Sequence, residues 1–216
     1  MNKVLVAMTL LACAGCVQEG AVKYPGWTYM GEYEPANPSS LDELQQNIRE
    51  KVVEHLKSRL GEDFFRKLRF TGGQVVDFTE LYRVNPRAKH YEWTVHAYDL
   101  HFEFTMPNKG IKSYTAQIKL NSDGSVLSEI DLPDFARHPE KLNFTSIAKV
   151  KRVAEKAGFD LTEAETEIDY DLRQDSIIWR FTKVVSDDGL IIQYKNIEVD
   201  AHSGIVIRQY GSEAIR

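Results

Sequence analysis

Cysteine is nearly absent from this sequence, and the two that occur, Cys13 and Cys16, lie close to the N-terminus. A domain that begins after them contains no disulfide and no cysteine nucleophile, so packing must stabilise it even in an oxidising compartment. Two common catalytic patterns are missing as well. The sequence has no Gly-x-Ser-x-Gly elbow, and Gly72-Gly73 lies between strand-like runs instead of opening a helix around a phosphate. We therefore expect no enzyme and no cofactor.

Excess positive charge is also missing. The formal net charge is −5, and it becomes more negative still if a leader that contains Lys3 is removed. Proteins that bind a phosphate backbone rely on basic surfaces, so nucleic acid is not an expected partner. The 43% of hydrophobic and 27% of charged residues are ordinary for a soluble globular protein, which argues against wholesale disorder and against a membrane protein with several spans.

Residues 1–16 resemble the signal peptide of a bacterial lipoprotein. An apolar run at 4–12 is too short to span a bilayer, and it leads into small residues that end at a cysteine, as in a lipobox. Two registers are open: Cys13 has Leu10 three positions before it, whereas Cys16 has the better small pair and the longer apolar region. We favour lipidation at Cys16. The resemblance implies a lipid anchor in the bacterial cell envelope, at the outer membrane or cell surface; the alternative is a plain secretory leader or an N-terminal anchor.

The rest of the chain divides at clusters of proline, glycine and other turn residues. We predict a tether at 17–40, a first unit at 41–132, a linker at 133–143, a second unit at 144–210 and a tail at 211–216. The dense prolines and glycines of the tether break both helical and strand periodicity. We expect Trp27, Tyr29 and Tyr33 to pack the tether against the domain. The alternative is that these aromatic residues form an exposed cluster that binds a ligand.

Both units show the same order of elements, one helix followed by about four antiparallel strands. In the first unit, helical spacing predicts a helix at 41–60, and strands are predicted at 74–84, 90–104, 113–120 and 126–127. Apolar parity flips within 90–104, which predicts a β-bulge near Ala97 and Tyr98, with a tight turn as the alternative. In the second unit, a helix at 147–157 precedes strands at 165–172, 176–185, 190–200 and 204–210. The fold class is therefore α+β, and Trp93 and Trp179 are expected to be buried at comparable positions of the two sheets.

The last hairpin of each unit ends in a similar turn. Asp200 with Gly204 and Asp123 with Gly124 are the turn residues, the aspartate accepting amide hydrogen bonds and the glycine supplying a positive φ. The turn of the second unit, at Asp200 and Gly204, resembles the end of a PepSY domain, V-D-A-x-T-G-x-V, with Ser203 in place of the threonine. The resemblance covers about 144–210 and, more weakly, 41–132. It implies a cystatin-like fold and a non-catalytic envelope module, for which peptidase inhibition or regulation is proposed.

Two polar rows are candidate binding sites. His96, Asp99 and His101 are expected on the solvent face of the 90–104 strand and are candidate metal ligands. Same-face neighbours on a strand lie about 6–7 Å apart, which is further than two ligands of one zinc ion usually lie from each other. Glu165, Glu167, Asp169 and Asp171 share one face of a predicted strand. That row is a candidate site for calcium or a basic partner, or a charged face that protects an edge strand.

Two functions follow from these patterns. The favoured one is a non-catalytic lipoprotein that binds an unknown protein or peptide in the cell envelope and contacts the membrane only through its N-terminal lipid. The alternative is a metal-handling protein or enzyme that uses the His/Asp/Glu face of the strand at 90–104.

Overall fold

The computed structural model describes residues 32–90 and 96–215, in which eight strands form two antiparallel sheets of four. Sheet A is β1-β2-β3-β4, with the strands Arg69–Val75, Tyr98–Met106, Ile111–Leu120 and Val126–Ser128. Sheet B is β5-β6-β7-β8, with the strands Glu165–Asp171, Ser176–Asp187, Ile191–Asp200 and Val206–Ile215. The α-helices of the described residues are α1 (Gln46–Leu60), α2 (Glu62–Phe65), α3 (Phe78–Val84) and α4 (Ile147–Lys156). The expected α+β class, with a helix and an antiparallel sheet in each half, is confirmed.

The long helix of the first half forms because its apolar residues share one face. That face consists of four buried residues at intervals of four: Ile48, Val52, Leu56 and Leu60. Such spacing keeps side chains on one side of a helix of 3.6 residues per turn. Gly61 ends the helix with a φ of 76°, a value that glycine adopts readily. The predicted helix at 41–60 begins too early, because 41–43 forms a 3₁₀ turn and α1 starts at Gln46.

The strand predicted at 74–84 is wrong. β1 ends at Val75, and α3 begins three residues later, at Phe78. The Asp77 carboxylate accepts hydrogen bonds from Thr79 N at 2.8 Å and Glu80 N at 3.2 Å, which caps the first turn of α3. An aspartate followed three residues later by a glutamate is a helix-start signal. Here it outweighs the β-branched and aromatic composition of the segment.

The predicted bulge near Ala97 and Tyr98 is also wrong. β2 begins at Tyr98, and register shifts in its pairing lie between Phe70 and Gly72 of β1 and between Phe104 and Met106 of β2. Apolar parity flips because residues 97–100 are all buried, so both faces of the sheet are covered there. Of the predicted strand at 90–104, His90 is instead the last residue of a 3₁₀ helix at Pro86–His90, and 91–95 lies outside the described residues.

The second half follows its predicted order closely, since the four predicted strands correspond to β5, β6, β7 and β8. α4 ends before Gly158, whose φ is 82°. The predicted tail at 211–216 is wrong for 211–215. β8 continues to Ile215 because these residues pair with β7, from Lys195 opposite Gly211 to Ile191 opposite Ile215.

The turn between β7 and β8 is built around one carboxylate. Asp200 Oδ1 accepts hydrogen bonds from His202 N at 3.0 Å and from Ser203 N at 2.6 Å. Gly204 has a φ of 72°, and a Cβ added to it would lie 3.3 Å from Thr145, just before α4. The glycine therefore serves both the turn geometry and its close approach to the helix.

The turn between β3 and β4 repeats this arrangement in the first half. Asp123 Oδ1 accepts a hydrogen bond from Ser125 N at 2.9 Å, and Gly124 has a φ of 83°. A Cβ added to Gly124 would lie 3.1 Å from Ile48 in the first turn of α1. In both halves, a glycine turn thus packs against the start of the helix that precedes its sheet.

One hydrophobic core runs through both halves. Phe135, in the predicted linker, and Phe144, just after it, are both 2% exposed. The ring of Phe135 lies 4.5 Å from that of Phe64 and 6.4 Å from that of Phe144, distances at which aromatic rings contact one another. The connection at 133–143 is therefore part of the core.

A polar junction at Asp175 joins the same two halves. Arg59 Nη2, near the end of α1, donates to Asp175 Oδ1 at 3.1 Å and to Leu132 O at 2.9 Å. The same carboxylate accepts hydrogen bonds from Tyr170 OH at 2.6 Å and Asp134 N at 3.1 Å. Asp175 has a φ of 48°, uncommon for a residue other than glycine. Hydrogen bonds from both halves hold this turn of sheet B in place.

The C-terminal end of the predicted tether docks on sheet A. Tyr33 is buried, and its hydroxyl accepts a hydrogen bond from Asp77 N at 2.7 Å. Ala36 forms an antiparallel bridge with Val75, with N to O distances of 3.0 and 2.8 Å. The other two aromatic residues expected to dock, Trp27 and Tyr29, lie outside the described residues.

Candidate functional site

The outer edge of β8 is the longest unpaired strand edge in residues 32–90 and 96–215. β8 has 10 residues, and β7 is its only neighbour in sheet B. The edges of sheet A are shorter, because β1 has 7 residues, of which Val75 is bridged by Ala36, and β4 has only 3 residues. An edge strand presents a row of unpaired N–H and C=O groups that can pair with another chain, and proteins usually shorten or cover such edges. Within the described ranges, β8 is therefore the longest open edge, and β5, at the other side of sheet B, is a shorter one of 7 residues.

Exposed apolar side chains lie near the far end of this edge. In the β6-β7 hairpin, Val184 and Val185 are about half exposed and Leu190 is 70% exposed. Ile215, at the end of β8, is 83% exposed and pairs in register with Ile191. Apolar side chains grouped on a surface mark places where another molecule binds.

A row of alternating charges crosses all four strands of sheet B on the face opposite α4. In register from β5 to β8, it consists of Glu167, Arg180, Glu198 and Arg208. Glu198 is fully buried. It accepts hydrogen bonds from Arg180 Nε at 3.0 Å, Arg208 Nε at 2.6 Å and Tyr210 OH at 2.8 Å. Burial alone would raise the pKa of Glu198, but these hydrogen bonds outweigh burial and hold the pKa below its ordinary value.

Sequence analysis missed this row, although a signal for it exists. Arg180 follows Trp179 in an otherwise apolar stretch, and Glu198 stands between Ile197 and Val199. A charge that interrupts an apolar strand requires a partner if it is buried. Opposite charges at matching positions of successive predicted strands would have indicated the pairs.

The predicted acidic row on β5 is mostly engaged within the protein. Arg180 Nη2 lies 3.0 Å from Asp169 Oδ2, and Arg180 Nη1 lies 3.8 Å from Glu167 Oε2. Asp171 Oδ1 accepts hydrogen bonds from the backbone of the following turn, and Glu165 lies opposite Thr182. β5 is an edge strand, so the row has the position that the protective interpretation requires.

A groove opens on the helix side of sheet B, past the C-terminal end of α4. Its volume is about 470 Å³. Its lining includes Asp160, Lys183, Lys195, Gln209 and Gly211. Lys183 forms an ion pair with Asp160, whereas Lys195 is exposed and forms no ion pair with any residue of the described ranges. The groove thus adjoins the open edge and carries an uncompensated positive charge.

The three candidate metal ligands come together, but not on the solvent face. His96 and Asp99 are 4% and 3% exposed, so their predicted exposure is wrong; they lie where both faces of β2 are covered. His96 Nε2 is 3.5 Å from Asp99 Oδ2, and His101 Nε2 is 3.2 Å from Asp99 Oδ1. Gln117 Nε2 also donates to Asp99 Oδ1, at 2.5 Å. In residues 32–90 and 96–215, no group of three His, Cys, Asp or Glu is arranged to hold a metal ion.

His202 and Ser203 are committed to the β7-β8 turn. His202 Nε2 accepts a hydrogen bond from Ile177 N at 3.3 Å, and its ring lies 4.5 Å from that of Phe144. Burial lowers the pKa of His202, although Asp200 acts in the opposite direction. Ser203 Oγ donates to Asp200 Oδ1 at 2.8 Å. The serine therefore bonds to the turn carboxylate and not to the imidazole, unlike a nucleophile with its general base.

The remaining predicted residues divide between the core and the part of the chain outside the described residues. Trp179 is 4% exposed and belongs to the core that also includes Val150 and Ala154 of α4. Its predicted counterpart, Trp93, and both candidate lipidation sites, Cys16 and Cys13, lie outside the described residues. No helix in the described ranges is both long and apolar enough to cross a membrane.

Comparisons with known proteins give little. No family model matches the chain, PepSY included, and no curated protein matches it. The crystal structure of a candidate lipoprotein from Clostridium difficile 630 is similar at 15% sequence identity, covering 81% of this chain and 100% of that one, with a TM-score of 0.25.

Proposed function

We propose that this protein is a non-catalytic lipoprotein of the bacterial cell envelope that binds an extended protein or peptide segment as an additional strand on β8. The observation that carries the proposal is the length of the edge: 10 residues of β8 have no second neighbour, whereas β5 has 7 residues and a row of carboxylates, β1 has 7 residues and a bridge to Ala36 at its end, and β4 has 3 residues. Such a protein would act as a peptidase inhibitor or regulator, in keeping with the PepSY-like turn at Asp200 and Gly204.

Strand addition needs no catalytic group. Main-chain hydrogen bonds to the edge supply affinity, and side chains on the two faces of the sheet supply specificity. β8 contains no proline, and its residues from Arg208 on are mostly exposed. The polar groups of the neighbouring turn are engaged in the turn itself, as the bonds of Asp200 to Ser203 and His202 show. These features support binding in preference to hydrolysis.

Two proline variants on β8 test the proposal. Successive residues of an edge strand direct their N–H groups alternately towards the neighbouring strand and towards solvent. Of Ser212→Pro and Glu213→Pro, one should therefore break a bond to β7 and lower the free energy of unfolding, while the other should leave folding intact and remove an amide from the open edge. The protein from residue 17 onward is first used to select binders from a displayed library of linear peptides, and both variants are then tested with the selected peptides.

We expect the stable proline variant to lose peptide binding, with urea unfolding as the control for its fold. Lys151→Gln, an exposed change on α4, is the control. Arg87→Pro is unsuitable as a control because residue 87 lies in a 3₁₀ helix. Unchanged binding by the stable proline variant, or selected peptides that bind only as helices, would show that β8 is not the binding edge.

The proposed anchor is a lipid on Cys16. Several acyl chains hold a protein firmly on a membrane, whereas one chain holds it weakly. Palmitate labelling of the wild type, Cys16→Ser and Cys13→Ser decides the position. We expect labelling to disappear only in Cys16→Ser; its loss only in Cys13→Ser would assign the lipid to the other cysteine, and labelling that is absent throughout would indicate a plain secretory leader.

A second candidate function starts from the approach of His96 and His101 to the two oxygens of Asp99, although the three residues are not arranged to hold a metal ion in this structure. A metal-handling protein or enzyme would use this cluster from the predicted 90–104 face. Native mass spectrometry with zinc, copper and calcium tests it. A stoichiometric ion that is lost in His96→Ala would favour this function over strand addition.

A further inference from the structure

We infer that the strand bound at β8 carries an acidic side chain opposite Gly211, and that Lys195 binds its carboxylate in the groove on the helix side of sheet B. The inference rests on the proposed strand addition and names the chemistry of the partner. It predicts an acidic, extended peptide segment.

Gly211 leaves room for that side chain. Its φ is not in the left-handed region, and a Cβ built on it would meet only Tyr194 O, at 3.7 Å, an ordinary van der Waals distance. Neither backbone conformation nor crowding within the described residues therefore requires glycine here. Glycine inside a strand often marks a place where a ligand or another backbone approaches closely.

Lys195 can reach across this position. It pairs in register with Gly211, so both residues face the groove. Neighbouring strands lie about 4.8 Å apart, which places an added residue about 10 Å from Lys195, Cα to Cα. The four-carbon stem of lysine and a carboxylate side chain can close that distance because no side chain stands between them.

The charges around the groove favour a carboxylate at this position of the partner. The Lys183 ammonium is already paired with Asp160, whereas Lys195 forms no ion pair in the described ranges. A basic residue opposite Gly211 would face Lys195 and be repelled. Glu213 lies two residues along the same face and accepts a hydrogen bond from Gln193 Nε2 at 3.1 Å. The negative charge of Glu213 disfavours a carboxylate on the partner residue that lies opposite Glu213. The acidic residue of the partner is therefore expected opposite Gly211 and not opposite Glu213.

Three probe peptides as long as β8, with blocked ends, test the inference: they consist of threonine with one central residue that is glutamate, glutamine or lysine. Binding to the protein from residue 17 onward is measured by fluorescence anisotropy at low salt. We expect the glutamate peptide to bind about two- to fivefold more tightly than the glutamine peptide, as for a partly exposed ion pair, and the lysine peptide to bind most weakly. Salt should reduce the preference for glutamate, because it screens exposed charges.

Two variants assign the preference to its residues. Lys195→Gln should remove the preference for glutamate, and Gly211→Val should remove it by filling the gap; both should unfold in urea at least as late as the wild type. Lys151→Gln, an exposed lysine of α4, should keep it. Equal binding of the glutamate and glutamine peptides, or a preference that survives Lys195→Gln, would overturn the inference and leave strand addition standing. Failure of all three peptides and of the selected library to bind would overturn both.

Discussion

The two halves of the molecule share an order of elements but differ in what they bury and what they leave open. Of the 12 largest fully buried side chains in the described ranges, only Phe181 lies in the second half. The exposed large hydrophobic residues show the opposite distribution, because every one of them in the described ranges lies after residue 141. The first half supplies most of the buried core, and the second half carries most of the exposed large apolar side chains.

The same contrast holds for the sheet edges. Sheet A has the Ala36 bridge at the end of β1 on one side and the short β4 on the other, whereas sheet B has the long open β8 on one side and the acidic β5 on the other. Proteins usually cover or shorten the edges of their sheets, because an open edge can pair with another chain and cause aggregation. The difference teaches that two halves with the same order of elements can differ in role: the first buries most of the core, and we propose that the second binds the partner.

The largest effect is expected from Trp179→Ala, which tests whether the two halves share one core. Trp179 is 4% exposed, and truncation of a buried Trp costs about 3–5 kcal/mol through lost transfer free energy and the cavity that remains. Because Phe135 and Phe144 connect the halves, the whole protein should unfold in one transition at lower urea. Leu172→Ala, at a residue that is 72% exposed, is the matched control and should change little. Two separate transitions, with only one of them shifted, would show that the halves fold independently.

A smaller loss is expected when the charge row of sheet B is broken. Glu198→Gln keeps the shape of the side chain but removes the charge that Arg180 and Arg208 contact, and should cost about 2–3 kcal/mol in the free energy of unfolding. Glu213→Gln, at an exposed position of the same sheet, serves as the control. If the two variants were equally stable, the row would contribute no more than ordinary surface ion pairs do.

Acid should weaken the protein through its buried histidines. Burial lowers the pKa of His202, and likewise that of His96, so the native state favours the neutral ring. The unfolded chain takes up the proton near pH 6.5. The free energy of unfolding should therefore be unaffected above that pH and fall as the pH drops from about 6.5 towards the lowered folded pKa values.

His202→Gln makes this effect specific. Glutamine can still accept a hydrogen bond from Ile177 N but does not titrate, so the slope of stability against pH should become shallower below pH 6.5. His138→Gln changes an exposed histidine and should leave the slope in place. An unaltered slope in His202→Gln would mean that the imidazole of His202 is not one of the groups responsible.

Much of the second half could be predicted because its strands alternate cleanly and its turns end in glycine, as at Gly204. The first half was harder. At 74–84, the helix cap of Asp77 competed with strand composition, and at 97–100 burial on both faces of β2 removed the alternation on which strand prediction depends. The pairing of Arg180 with Glu198 depends on strand register, which periodicity alone does not fix.

The smallest effect is expected where the tether covers sheet A, at Tyr33→Phe. The change removes the hydroxyl that accepts a hydrogen bond from Asp77 N, and should cost about 1 kcal/mol, the usual contribution of one such bond. Tyr82→Phe is the control, since the Tyr82 hydroxyl has no hydrogen bond within the described ranges, and should be nearly neutral. Hydrogen exchange of the Val75 amide, which donates to Ala36 O, reports whether the edge of β1 opens. Faster exchange there in Tyr33→Phe, with β8 unchanged, is the expected result. Equal exchange in the two proteins would mean that the Ala36 bridge holds this end of β1 without help from the Tyr33 hydroxyl.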